Sequence, residues 1–182
     1  MTRILFGVIV VAGLFSASTR AEELKSAAPT YRPWTKICLG DTCFIGADAL
    51  AASGCKLGFG AALIEKTAET KKTLRVIVPD SVDQARGVGI GVDQDQPTQR
   101  PYGPCHANLC SADIDGGAEL IARLKRGHKL VLEAMSANGP VHFELPLADF
   151  AAAYDGPPQA PKAFERQTEK EQDEHKVQCD AN

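Results

Sequence analysis

Two identically spaced cysteine pairs, Cys38/Cys43 and Cys105/Cys110, constrain this chain more than any other feature. Four residues between two cysteines is a common hairpin loop length. Cross-strand partners at the end of a hairpin have Cα atoms at a separation that a disulfide can bridge. The spacing therefore predicts two stapled antiparallel hairpins. Leu39-Gly40-Asp41-Thr42 and His106-Ala107-Asn108-Leu109 are their loops, with Gly40 and Asn108 supplying left-handed backbone. The same spacing also suits a zinc site, so the compartment decides between the two chemistries.

The amino terminus argues for export. Thr2 and Arg3 make a short positive start, and Ile4 to Ala17 is almost wholly apolar. That run is shorter than the about 20 residues a membrane span needs, and it fits the apolar region of a secretory signal. Thr19-Arg20-Ala21 places cleavage after Ala21; cuts after Ala17 or Ser18 and an uncleaved anchor are the competing readings. In an oxidising compartment thiols become disulfides, which favours staples over zinc, and each such small ring contributes about 2 kcal/mol on the loop-entropy model. Cys55 and Cys179 remain. Joined within one chain they would close a very long loop, worth up to about 5 kcal/mol on the same model. A bridge between two chains through Cys179 is the alternative.

Removing residues 1–21 takes away two arginines and no acids, so the formal charge of −3 becomes −5. An acidic balance argues against nucleic acid or an anionic membrane face as the main partner. No further long apolar run exists, so no stable membrane insertion is expected after cleavage. The remaining 161 residues suit one domain with a core of its own.

Periodicity along that domain is mostly that of strands. Residues 22–31 are polar and expected to be disordered. Trp34 to Leu39, Cys43 to Ile45, Phe59 to Ile64 and Leu74 to Val78 read as strands, and Trp34 as a core anchor. Asp48 to Gly54 is alanine-rich and reads as a helical turn. Gly87 to Asp93 alternates glycine with Val88, Ile90 and Val92, which predicts close backbone packing or a bulge rather than a phosphate loop. Tyr102 to Ala112 holds the second hairpin. The clearest helix starts at Asp115, carries Leu120, Ile121 and Leu124 on one face, and ends at Gly127. Leu130, Leu132 and Ala134 alternate, Asn138-Gly139 signals a tight turn, and Val141, Phe143 and Leu145 point one way. Pro146 to Tyr154 reads as a short helix. The tail, residues 159–182, is helix-compatible from Lys162 to Val177 but carries charges of alternating sign on nearly every face. It reads as a solvated helix or a disordered segment, with a partner-binding tail as the sharper alternative.

Catalytic signals are weak. The chain has no G-x-S-x-G elbow, no H-E-x-x-H and no G-x-x-x-x-G-K-[ST] loop. His106, His128, His142 and His175 are scattered. Asp93 with Asp95, or Asp113 with Asp115, suggest calcium only faintly, because the loop's further acids are missing at the required spacing. No catalytic, cofactor-binding or metal-ligating residue is therefore assigned.

Several short motifs fit together as a set: Trp34-Thr35-Lys36-Ile37-Cys38, Leu74-Arg75-Val76, Asp93-Gln94 with Gln96-Pro97, and Pro101-Tyr102 with Cys105. Cys110-Ser111-Ala112-Asp113, Ala118-Glu119-Leu120-Ile121 with Leu124-Lys125, Leu145 to Phe150 and Ala153 to Pro158 complete it. From Trp34 to Pro158 the chain resembles the invasion-associated locus B family, small exported proteins of alphaproteobacteria linked to host-cell invasion. The resemblance implies a periplasmic or envelope location and no enzyme mechanism. The first cysteine ring is shorter here than in many relatives, and Cys55 and Cys179 look like additions.

The expectation is a mainly β protein: an antiparallel sandwich or barrel-like domain over 32–158 with two short helices in its later half, then a polar helical tail. Its expected function is that of a periplasmic, non-enzymatic binding or accessory protein, with outer-membrane association or secretion left open. Its expected partner is a protein in the envelope or on a host surface. A small-ligand module with a pocket in the β domain is the alternative, and a redox or hydrolytic enzyme a more distant one.

Overall fold

The computed structural model describes residues 29–50 and 57–160. The expected signal segment, Cys55 and Cys179 lie outside them, as does the tail from residue 161 onward. The described residues form β1 (Thr30–Leu39), β2 (Thr42–Leu50), β3 (Leu57–Lys66), β4 (Thr73–Pro79), β5 (Val88–Val92), β6 (Thr98–Arg100), β7 (Leu109–Asp115), α1 (Ala118–Arg126), β8 (Lys129–Ser136), β9 (Gly139–Pro146) and α2 (Phe150–Asp155). All strand pairings are antiparallel. One sheet has five strands in the order β1-β2-β3-β4-β7, the other four in the order β6-β5-β8-β9. This is the mainly β, antiparallel domain with two short late helices expected from the sequence, and its two sheets make it sandwich-like rather than a barrel.

The period of two decides which side of each strand goes inward. Leu74, Val76 and Val78 of β4, Cys110, Ala112 and Ile114 of β7, and Leu130, Leu132 and Ala134 of β8 are all buried. These inner faces join one core, to which α1 adds Leu120, Ile121 and Leu124. Trp34 of β1 meets Phe150 of α2 edge to face, with centroids 4.9 Å apart, and its indole N–H donates to the Pro146 carbonyl at 2.7 Å. The indole is thus the core anchor expected of it, with its one polar atom satisfied. Burying a ring such as Phe150 contributes about 1.5–3 kcal/mol.

Both local cysteine pairs are bonded, with Cα atoms 4.0 Å apart in Cys38–Cys43 and 4.1 Å apart in Cys105–Cys110. The first hairpin is tighter than a four-residue loop. Leu39 and Thr42 pair with each other, which leaves Gly40 and Asp41 as the turn, with Gly40 at φ 62°. Positive φ in the turn matches the twist of the flanking strands. At the second pair, Ala107 and Asn108 both have positive φ, and His106 and Leu109 exchange backbone hydrogen bonds of 2.8 and 2.9 Å. Cys105 itself is not in a strand, so this staple ties a loop to β7 rather than closing two long strands. β1 and β7 are the two outer strands of the five-stranded sheet, so each of its edges carries a disulfide.

Other departures have local causes. β1 starts at Thr30, two residues before the expected domain boundary. Asp48 to Leu50, read as part of a helical turn, belong to β2. Ala49 pairs with Tyr31 on one side and Phe59 on the other, and partners on both sides override alanine's helical preference. Asp115 stays in β7, and α1 begins after Gly117 with no side-chain cap. The β8–β9 turn is Ala137-Asn138, one residue earlier than predicted, because Ser136 and Gly139 pair. Pro146 ends β9, so α2 begins four residues later than expected. β5 shows the close packing read from its glycines: a Cβ on Gly89 would lie 2.8 Å from Gln99 Nε2.

Candidate functional site

The five-stranded sheet has an outer face that water would be expected to cover with polar side chains, and its centre is apolar instead. Register places Ile37, Phe44 and Ile64 side by side across β1, β2 and β3. The next row is Thr35, Gly46, Ala62, Arg75 and Asp113, and the third is Arg32, Asp48, Gly60, Ile77 and Ser111. Ile37, Phe44 and Ile64 on one side and Ile77 on the other flank the small Gly46 and Ala62. The result is an open groove of about 410 Å³ whose lining includes Ile37, Phe44, Gly46, Ala62, Ile64 and Ile77.

Glycine keeps the groove open at two points. A Cβ on Gly60 would lie 2.9 Å from the Asp48 Cβ, and one on Gly46 would lie 3.3 Å from the Ala61 carbonyl oxygen and 3.5 Å from the Ala62 Cβ. Any side chain at position 46 would also fill the floor. Two ion pairs border the apolar centre. Arg32 pairs with Asp48. Arg75 donates two hydrogen bonds of 2.8 Å to Asp113. Those hydrogen bonds hold the Asp113 carboxyl below its ordinary range, against the opposing effect of its partial burial. Each border thus offers both signs of charge and no large net field.

A second depression, about 380 Å³, lies beside the start of α1 and is lined by Lys72, Gly116, Gly117, Lys125 and Tyr154 among others. Its polar groups are engaged with one another. The Lys72 ammonium pairs with Glu65 and donates to the Tyr154 hydroxyl at 2.6 Å. Burial pushes the Lys72 pKa down, but the hydrogen bonds to Glu65 and Tyr154 together outweigh it and leave the group above its usual value. The Lys125 ammonium sits 4.2 Å from the Tyr154 ring centre and pairs with Asp155. Lys36 donates to the carbonyls of Tyr154 and Gly156 at 2.7 and 3.3 Å. Lys36 and Lys72 fasten α2 and the chain beyond it to the five-stranded sheet, and Lys125 fastens α2 to α1.

The residues considered for chemistry are dispersed. Asp93 sits at φ 56°, and its carboxylate accepts the backbone N–H groups of His128 and Lys129 at 2.8 and 3.0 Å. Those bonds lower its pKa and tie the end of β5 to the start of β8. Asp95 pairs with Arg123, and Asp113 with Arg75. His106 lies in the second turn, and His142 faces outward near Glu133. Among the described residues no three His, Cys, Asp or Glu side chains gather as a metal site would require, and no helix is long and apolar enough to cross a membrane. His175 lies outside the described residues.

Sequence reasoning missed the groove, though a signal existed. Phe44-Ile45, Ala61-Ala62-Leu63-Ile64 and Val76-Ile77-Val78 are unbroken apolar runs. A strand with one face in water should alternate, so such runs mean that both faces are apolar.

Comparison with known proteins bears on the fold and the lineage. A family model described as invasion associated locus B (IalB) protein matches residues 34–158. No curated protein matches the chain. Among solved structures, the crystal structure of invasion associated protein B from Bartonella henselae is similar at a TM-score of 0.60 and 18% identity, over 71% of this chain and 94% of that one. The likeness extends to the fold. The two disulfides fit an exported protein.

Proposed function

The chain belongs to the invasion associated locus B family, and on that premise we propose an exported, non-enzymatic binding or accessory protein of the cell envelope, active in host association or envelope stress. Its contact surface is the outer face of the five-stranded sheet. The observation that carries this reading is the apolar lining of the groove, Ile37, Phe44, Ile64 and Ile77, on a face turned away from the core. These four side chains are half-buried, and contiguous accessible apolar surface rimmed by polar groups marks interaction sites. A partner that supplies mainly apolar side chains fits the floor, and the paired borders suit neutral or mixed-charge flanks.

A small-ligand pocket between the sheets is less well supported, because the inner faces pack their side chains against each other.

The test is a photo-crosslinking amino acid placed at Ala62, inside the groove, and at Glu133, on the outer face of the four-stranded sheet. Both proteins are expressed with export in living cells. The expected result is discrete adducts heavier than the chain at position 62 only. Equal adduct patterns at both positions, or none at 62, would sink the reading.

A further inference from the structure

We propose that the groove has an internal occupant: the chain's own carboxyl-terminal tail, residues 161–182, seated through Phe164. This rests on the reading above that the outer face of the five-stranded sheet is a contact surface.

Three observations lead there. The first is the exit of the chain. The Gln159 N–H donates to the Lys36 carbonyl at 2.7 Å, and Gln159 bridges in parallel to Ile37. Ile37 lines the groove, so the chain leaves the described residues along the edge of the very sheet that carries it. The lysines around Tyr154 and Gly156 hold that exit in place.

The second is reach. Phe164 follows Gln159 by five residues, a distance of up to about 16 Å in extended chain. Phe44 and Ile64 lie one and two strands in from Ile37, at about 4.8 Å per strand.

The third is chemistry. The tail has one aromatic side chain, Phe164, close to its root. Around it stand Lys162, Glu165, Arg166, Glu169 and Lys170. Mixed charge is what the groove's borders accept, since Arg32–Asp48 and Arg75–Asp113 each present both signs. A tethered segment has an effective concentration in the millimolar range, so it needs a weaker anchor than a free peptide would. An outside partner then binds only the fraction of molecules whose groove is open, which lowers its apparent affinity by that fraction.

The experiment uses the full chain with p-benzoylphenylalanine in place of Phe164, irradiated and mapped by peptide mass spectrometry. The expected product is an adduct within one chain to the β2 or β3 peptide carrying Phe44 or Ile64, lost when Ile64→Asp is added. Should Ile64→Asp fail to fold by circular dichroism, Ala62→Glu makes the same test from the groove's middle. Adducts to the four-stranded sheet or to a second copy, or no adduct, would overturn the proposal. The reagent at Ala62 separates this inference from the proposed function. Coupling to envelope proteins but never to residues 161–182 defeats the tail and leaves the function standing. Coupling to residues 161–182 alone does the reverse.

Discussion

The two sheets share one core and differ on the outside. Leu63, Leu74 and Val76 of the five-stranded sheet and Leu130, Leu132 and Leu145 of the four-stranded sheet are equally inaccessible. Outside, the four-stranded sheet carries Lys129 with Glu144 and His142 with Glu133, with the half-buried Val131 and Met135 among them. The five-stranded sheet carries isoleucines and a phenylalanine around a groove. It is also the sheet stapled at both edges, through Cys38–Cys43 and through Cys105–Cys110. An apolar face next to an open strand edge invites unwanted pairing. Fixing both edges covalently lets such a face be displayed without the sheet opening.

If the inner faces are equivalent, truncating either should cost the same. Leu63→Ala and Leu132→Ala should each lose about 2–5 kcal/mol by urea unfolding, the range for large-to-small changes in a packed core. A change that costs one sheet several times more than the other would show that the core belongs to one sheet and that the second is merely leaning on it.

The staples should matter next most, and on one side only. Losing either disulfide should cost about 2 kcal/mol. Hydrogen exchange after reduction should show loss of protection in β1, β2 and β7, while β5, β8 and β9 keep theirs. Uniform loss across both sheets would mean that the sandwich opens as a single unit, and the contrast between stapled and unstapled halves would fail.

The same contrast explains what the amino-acid sequence revealed. The four-stranded sheet was legible because Val141, Phe143 and Leu145 alternate with His142 and Glu144, and Leu130, Leu132 and Ala134 keep the same period of two. The staples were legible because a cysteine spacing is a distance constraint. β6 was missed because Thr98–Arg100 is three polar residues whose strand character comes from its partner β5. Asp48 to Leu50 were misread because alanine's local preference is weaker than pairing on two sides. The groove was hidden for a different reason. Apolar runs such as Ala61 to Ile64 give a strand its place but not which of its two faces is covered, and only the register shows Ile64 beside Phe44 and away from the core.

The smallest effect separates two carboxylates, one from each sheet. Asp113 has its pKa lowered by the Arg75 side chain on the outer face of the five-stranded sheet. Asp93, at the end of β5 in the four-stranded sheet, has its pKa lowered by backbone N–H groups. In both, the folded-state pKa lies below the unfolded one. Each therefore stabilises fully above the unfolded value of about 3.9, and the contribution disappears as pH falls through the folded value. Arg75 and Asp113 are 49% and 44% exposed, so their pair should contribute less than about 1 kcal/mol. Asp113→Asn and Asp93→Asn should both flatten the loss of stability between neutral and acid pH. Asparagine tolerates the left-handed backbone at position 93, so that change tests the charge alone. At high salt the exposed Arg75–Asp113 pair is screened, and Asp113→Asn should then cost almost nothing, while the short backbone bonds to Asp93 keep most of their effect. Equal salt sensitivity in the two variants would mean that Asp93 responds to the field around it rather than to the two N–H groups that it accepts.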